Sequence, residues 1–161
     1  MLGQKVLLNQ MPIAIKDSKI DISSEETTKE LAKDLTHYLK GGEIVYLYGE
    51  MGVGKTTFVR HLINQFQKNK KLHITEVTSP TFNLLNEYDI NDLVIKHYDL
   101  FRLKDESEIK NLDLFENNQN TITLIEWPQL ISKNKSIKTI DLIFSYENEL
   151  NNRSVKIDGL N

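Results

Sequence analysis

Lys55 and Thr56 stand side by side at the end of the run Gly49-Glu50-Met51-Gly52-Val53-Gly54-Lys55-Thr56-Thr57. The spacing fits G-x-x-x-x-G-K-[ST], a pattern whose chemistry is the capture of phosphate. Glycines let the backbone turn tightly and present N–H groups to phosphate oxygens, and a following helix aims its positive end at the same anion. The Lys55 ammonium is placed to reach β- and γ-phosphates, and the Thr56 hydroxyl to ligate the Mg²⁺ that bridges them. The other reading of such a run is a glycine-containing turn with no ligand. Its surroundings argue for the ligand: an apolar run, Ile44 to Tyr48, precedes it as a buried strand. After it, Phe58, Leu62 and Phe66 share one helical stripe.

Magnesium nucleotide chemistry also needs a carboxylate for the metal or its waters and a group that orients the attacking oxygen. Asp99 and Glu126 each close an expected strand, at the edge where open α/β sheets bind ligands. Asp99 also reads as a turn residue before Leu100-Phe101-Arg102. Glu126 follows five strand residues, where an ionised group is costly to bury unless paired or metal-bound. Ser79 and Thr81, in the loop after the phosphate-loop helix, could carry a hydroxyl that senses the γ-phosphate. His97 alternates onto a strand face and reads as packed rather than catalytic. Trp127 reads as a core anchor, and His37, His61 and His73 lack ligand spacing.

The elements that must position these groups are legible in outline. Ser23 with Glu26 fits a capping box for a helix carrying Leu31, Leu35 and Leu39, ended by Gly41-Gly42. The Ile44–Tyr48 strand, the phosphate loop and a helix to about Gln67 form one unit, whose crossover implies a parallel neighbour strand. Phe82 to Tyr88 and Leu93 to Tyr98 read as an antiparallel hairpin around Asp89-Ile90-Asn91-Asp92. An acidic helix spans about Glu106 to Asn111, a strand Thr121 to Ile125, and a terminal hairpin pairs Thr139–Ser145 with Ser154–Ile157 across Glu147-Asn148-Glu149. The expected fold is α/β, a P-loop NTPase-like mixed sheet with flanking helices and antiparallel hairpin additions.

With 161 residues, 39% of them hydrophobic, the chain suffices for one domain, placed at 23–161, with 1–22 an extension to which no role attaches. The chain contains no cysteine, which excludes disulfides, thiolate catalysis and Cys-ligated zinc. Met1 to Leu8 lacks the apolar core of a secretory signal, and no run approaches the roughly 18–20 apolar residues of a membrane span. The expected setting is cytoplasmic, without membrane contact. Net charge is −3, from 20 basic and 23 acidic residues, so any nucleic-acid role is expected to be indirect. Lys68-Asn69-Lys70-Lys71 reads as a solvated helix end.

The segments GEMGVGKTT, TSPTFNLLNEY, HYDLFRL and LIEWP, in this order and at these separations, closely resemble the TsaE family, the bacterial ATPase of tRNA threonylcarbamoyladenosine biosynthesis. The resemblance covers residues 23 to 158. It implies ATP and Mg²⁺ as ligands, slow hydrolysis, and partnership with the TsaB and TsaD proteins, through which tRNA is reached indirectly. By motif, it places phosphate at Gly52, Val53, Gly54, Lys55, Thr56 and Thr57, Mg²⁺ at Thr56 and Glu126, and support of hydrolysis at Asp99. By weaker matches, the segments around Glu25 and Asn152 lie near adenine and ribose. Met51 and Val53 stand where the family often has Leu and Ala, and Asn152 where Gly is frequent.

Rival readings differ in chemistry. A GTPase would need an N-K-x-D tetrapeptide, and Asn134-Lys135-Ser136-Ile137 lacks the acid. A small-molecule or nucleoside kinase would cover its phosphates with an Arg-rich lid, but Arg60, Arg102 and Arg153 are scattered. A third possibility is a binding module whose nucleotide only sets conformation.

Overall fold

The computed structural model describes residues 19–116, 119–133, 137–148 and 151–160. The leader from Met1 to Leu8, Asn134-Lys135-Ser136 and Glu149 lie outside the described residues. Seven strands form one sheet: β1 (Lys19–Asp21), β2 (Ile44–Tyr48), β3 (Leu85–Ile90), β4 (Leu93–Asp99), β5 (Thr121–Glu126), β6 (Thr139–Tyr146) and β7 (Arg153–Asp158). Their order is β1-β7-β6-β2-β5-β4-β3. The centre, β6-β2-β5-β4, is parallel, and β3 and the β7-β1 pair join antiparallel at the two sides. This is the mixed sheet with hairpin additions expected from the sequence, with one extra strand, β1, on the edge of β7.

Strand alternation sorts the core. On one face Val45, Leu47, Ile95, Ile122, Leu124, Ile140 and Leu142 meet Leu31 and Leu35 of helix α1 (Glu25–Leu35) and Phe58, Leu62 and Phe66 of helix α2 (Lys55–Asn69). The Phe58 ring sits edge-on to Phe144, 5.9 Å between centroids. Opposite them, Ile44, Tyr46, Tyr98 and Ile125 pack under Ile109 of the short helix α3 (Glu106–Ile109) and Leu114. His97, Asp99 and Glu126 continue the α2 face toward the strand ends, because residues two apart on a strand share a face.

Several boundaries differ from the sequence reading for local reasons. The cap of α1 is Ser24, whose Oγ accepts the Thr27 N–H at 3.3 Å. Ser23 instead accepts the Arg153 N–H at 3.0 Å, tying the helix entrance to β7. β3 begins at Leu85, not Phe82, because Leu84 turns left-handed (φ 67°) and donates to the Pro80 carbonyl at 2.7 Å. Asp89 and Ile90 belong to the strand, leaving Asn91-Asp92 as the turn. The acidic helix is one α turn followed by a 3₁₀ turn, Lys110–Leu112.

Candidate functional site

The phosphate loop links the end of β2 to the start of α2. Gly49 (φ 146°) lies so close to β6 that a Cβ there would come within 2.9 Å of the Phe144 carbonyl oxygen, which only glycine tolerates. Gly54 (φ 117°) caps α2 without a side-chain hydrogen bond, and the helix has no acidic residue in its first turn. The first N–H groups therefore lack an internal acceptor, the arrangement that receives an anion. α1 is the contrast, with Ser24 capping it and Glu25 and Glu26 in its first turn.

A cleft of about 320 Å³ opens here. Gly52, Gly54, Lys55, Thr56 and Thr57 line it from the loop and α2, Asp99 and Glu126 from the strand ends, Ser79, Thr81, Phe101 and Trp127 from surrounding turns, and Arg153 from the start of β7. Asp99 and Glu126 are register partners on β4 and β5, so both carboxylates reach the same edge. The Thr56 hydroxyl donates to Glu126, 3.0 Å from Oε1 and 3.2 Å from Oε2. Asp99 accepts the Ser79 hydroxyl at 2.6 Å and the Phe101 N–H at 3.0 Å, so it is at once a turn residue and part of the cleft.

Lys55 is 4% exposed. Its Nζ donates to the Gly49 carbonyl and lies 3.6 Å from the centroid of the Trp127 ring, a cation–π contact. Burial pushes its pKa below that of a free lysine, and the charges of Glu126 and Asp99 oppose the shift. Trp127 reaches this position because it turns left-handed (φ 58°) directly after β5, a costly conformation for a bulky residue. It packs on Phe101 at 4.9 Å and is more than a core anchor. His97 is completely buried, with Nε2 at 2.6 Å from Glu126 Oε2, within hydrogen-bond distance.

Three residues proposed for the ligand do not line the cleft. Val53 is buried beneath the loop, its N–H bonded to the Glu50 carbonyl. Glu25 is paired with His61 and Arg60 of α2 at 2.9 and 2.8 Å, contacts led by the His61 hydrogen bond that hold its carboxyl below the usual range. Asn152 is exposed in the β6–β7 turn, where its carbonyl accepts the Glu147 N–H. Neither Glu25 nor Asn152 lines the cleft; the neighbour Arg153 does. Alternation could have placed His97 on the Glu126 face, but periodicity names a face and not a partner.

A profile of the family described as threonylcarbamoyl adenosine biosynthesis protein TsaE matches residues 22–155. The tRNA threonylcarbamoyladenosine biosynthesis protein TsaE of Rickettsia conorii is 44% identical over 110 residues, 68% of this chain and 61% of that protein. The protein of the same name from Bacillus subtilis is 36% identical over 120 residues, 74% of this chain and 72% of the other. The match thus spans less than two thirds of the Rickettsia conorii relative's length. A crystal structure of Bacillus subtilis YdiB has the same fold, with a TM-score of 0.65 at 21% identity over 89% of this chain and 86% of that one. Motif order, profile and relatives agree over most of the chain, which belongs to the TsaE family.

Proposed function

We propose that this chain is a Mg²⁺-dependent ATPase supporting threonylcarbamoyl transfer to the adenosine beside the tRNA anticodon, together with TsaB and TsaD. The observation that carries the reading is the meeting of Thr56 with Glu126 beside Lys55, at the uncapped start of α2. The family description supplies the pathway.

A hydroxyl and a carboxylate suit a hard cation that takes its remaining oxygens from phosphate and water. Among the described residues no group of three His, Cys, Asp or Glu could by itself hold a metal ion. Thr56 and Glu126 would hold the cation. When bound, Mg²⁺ neutralises charge on the β- and γ-phosphate oxygens. Lys55 exchanges the Gly49 carbonyl and the Trp127 face for phosphate, a stronger partner for a buried ammonium. Asp99 orients the attacking water, and through Ser79 its position is coupled to the loop from Thr78 to Thr81.

A chain of net charge −3 gains little from tRNA phosphates, so the nucleotide state reaches tRNA through a protein partner. The contact surface is the rim of the cleft, the Thr78–Thr81 loop with Leu100 to Arg102, where Phe101 and, directly after the loop, Phe82 are 47% and 82% exposed. Among the described residues no helix is long and apolar enough to cross a membrane, and a cytoplasmic setting goes with this reading.

The test mixes the purified chain with TsaB and TsaD and follows ATP consumption and tRNA modification together, with partner binding measured without nucleotide, with ADP and with a non-hydrolysable ATP analogue. Modification that requires this chain, and partner affinity that changes with nucleotide, are expected. ATP consumed only in the presence of a small phosphoryl acceptor would make the protein a kinase. Equal partner affinity in all three states would overturn the switch, and no binding in any state would overturn the partnership.

A further inference from the structure

Glu126 is 2% exposed, with Thr56 on one side of its carboxylate and His97 on the other. A buried carboxylate is tolerable only when hydrogen-bonded, and one with a single flexible partner can rotate about its last torsion. The His97–Glu126 contact, at 2.6 Å and wholly buried, is shorter than either Thr56 contact. It also comes from β4, the strand paired with β5, and so is fixed by the sheet itself. On the far side of the ring, Nδ1 is buried and has no hydrogen-bond partner among the described residues. An orphan acceptor is less costly there than an orphan N–H, because a lone pair loses less than an unmade donor bond. The ring is therefore best accommodated with its hydrogen on Nε2, where it donates to Glu126.

We infer that His97 is a positioning residue, which as its Nε2–H tautomer clamps the Glu126 carboxylate in the orientation that Thr56 and a nucleotide-borne divalent cation require. The inference rests on the reading of Glu126 as the metal carboxylate. Hydrogen-bond partners of metal ligands commonly govern 10- to 100-fold in metal affinity, and here the effect should fall on the metal alone. His97 does not line the phosphate cleft, so nucleotide binding without metal should not depend on it.

The experiment measures affinity for a non-hydrolysable ATP analogue by calorimetry, with and without Mg²⁺, in the full chain and in His97→Phe, His97→Gln, Glu126→Gln and the double variant His97→Phe/Glu126→Gln. His97→Phe keeps a ring and removes the donor, and should cut the Mg²⁺ enhancement about tenfold while metal-free affinity changes less than twofold. His97→Gln restores an N–H donor and should recover part of the enhancement. In the double variant His97→Phe should add nothing to Glu126→Gln. Nitrogen-15 spectra of the unaltered protein should show a protonated Nε2 and an unprotonated Nδ1, with the Nε2 signal moving on addition of Mg²⁺ nucleotide more than on nucleotide alone; this readout stands even if His97→Phe does not fold. A normal enhancement in His97→Phe, or an Nε2 without a proton, overturns the positioning role. An enhancement that survives Glu126→Gln instead overturns the metal reading on which it rests.

Discussion

Lys55 sets how the cleft can respond to a ligand, because its ammonium is already held by the Trp127 ring and the Gly49 carbonyl. The motif suggests an exposed cation waiting for phosphate, whereas the side chain is folded onto Trp127 and the Gly49 carbonyl. Lys55→Met should keep the packing, leave circular dichroism unchanged and abolish measurable nucleotide binding; retained binding would remove Lys55 from the site. Trp127 is the sole tryptophan of the chain, so nucleotide that draws Lys55 away from the ring should change its emission, and Lys55→Met should lose that response. Asp99→Asn should still bind nucleotide but hydrolyse it about 10²- to 10⁴-fold more slowly, the usual loss with a base or water-orienting group; a near-normal rate would leave Asp99 only its turn bonds to Ser79 and Phe101. The cleft residues Lys55, Thr56, Asp99 and Glu126 were readable because motif spacing and strand ends are one-dimensional signals. Trp127 and His97 were not, since their partners depend on a left-handed turn and on strand register.

At the scale of elements, α1 carries a burden that its sequence pattern hides. Asp34 is 5% exposed, one position before the helix ends, where the dipole disfavours an anion, and its Oδ2 has no hydrogen-bond partner among the described residues. Burial raises its pKa above 3.8, with His37 opposing the shift. A carboxyl with a raised folded pKa binds its proton more tightly in the native state, so its contribution is most favourable below the unfolded value and is lost as pH rises through the folded one. Asp34→Asn should therefore raise Tm at pH 7, and the advantage should vanish as the pH is brought below 3.8. A gain independent of pH would show that charge is not the cause. The boundary differences have the same local origin: the spacing to Glu26 favours Ser23 as the cap in sequence, but Ser23 is taken up by the bond from Arg153, and Ser24 caps the helix instead. Leu84 looks like a strand residue until its left-handed turn is known.

The whole molecule is a parallel centre with antiparallel pairs at its sides. The hairpins β3–β4 and β6–β7 close over short turns, but β2 is inserted between β5 and β6, strands that follow it far along the chain. Thr56 and Glu126 are 70 residues apart, so the complete phosphate motif is present long before the site is. A fragment ending at residue 120 should show no Mg²⁺-dependent nucleotide binding by calorimetry; binding like that of the full chain would mean the loop suffices alone. Contacts between residues distant in sequence form slowly, because the intervening chain must be ordered first. On the ribosome, elongating at roughly 5–20 residues per second, the loop emerges seconds before β5 and later still meets β6. The nascent chain therefore passes through an interval in which its most recognisable motif has no strand on either side of β2, and the proposed nucleotide ligand would favour the native state only after that interval has closed.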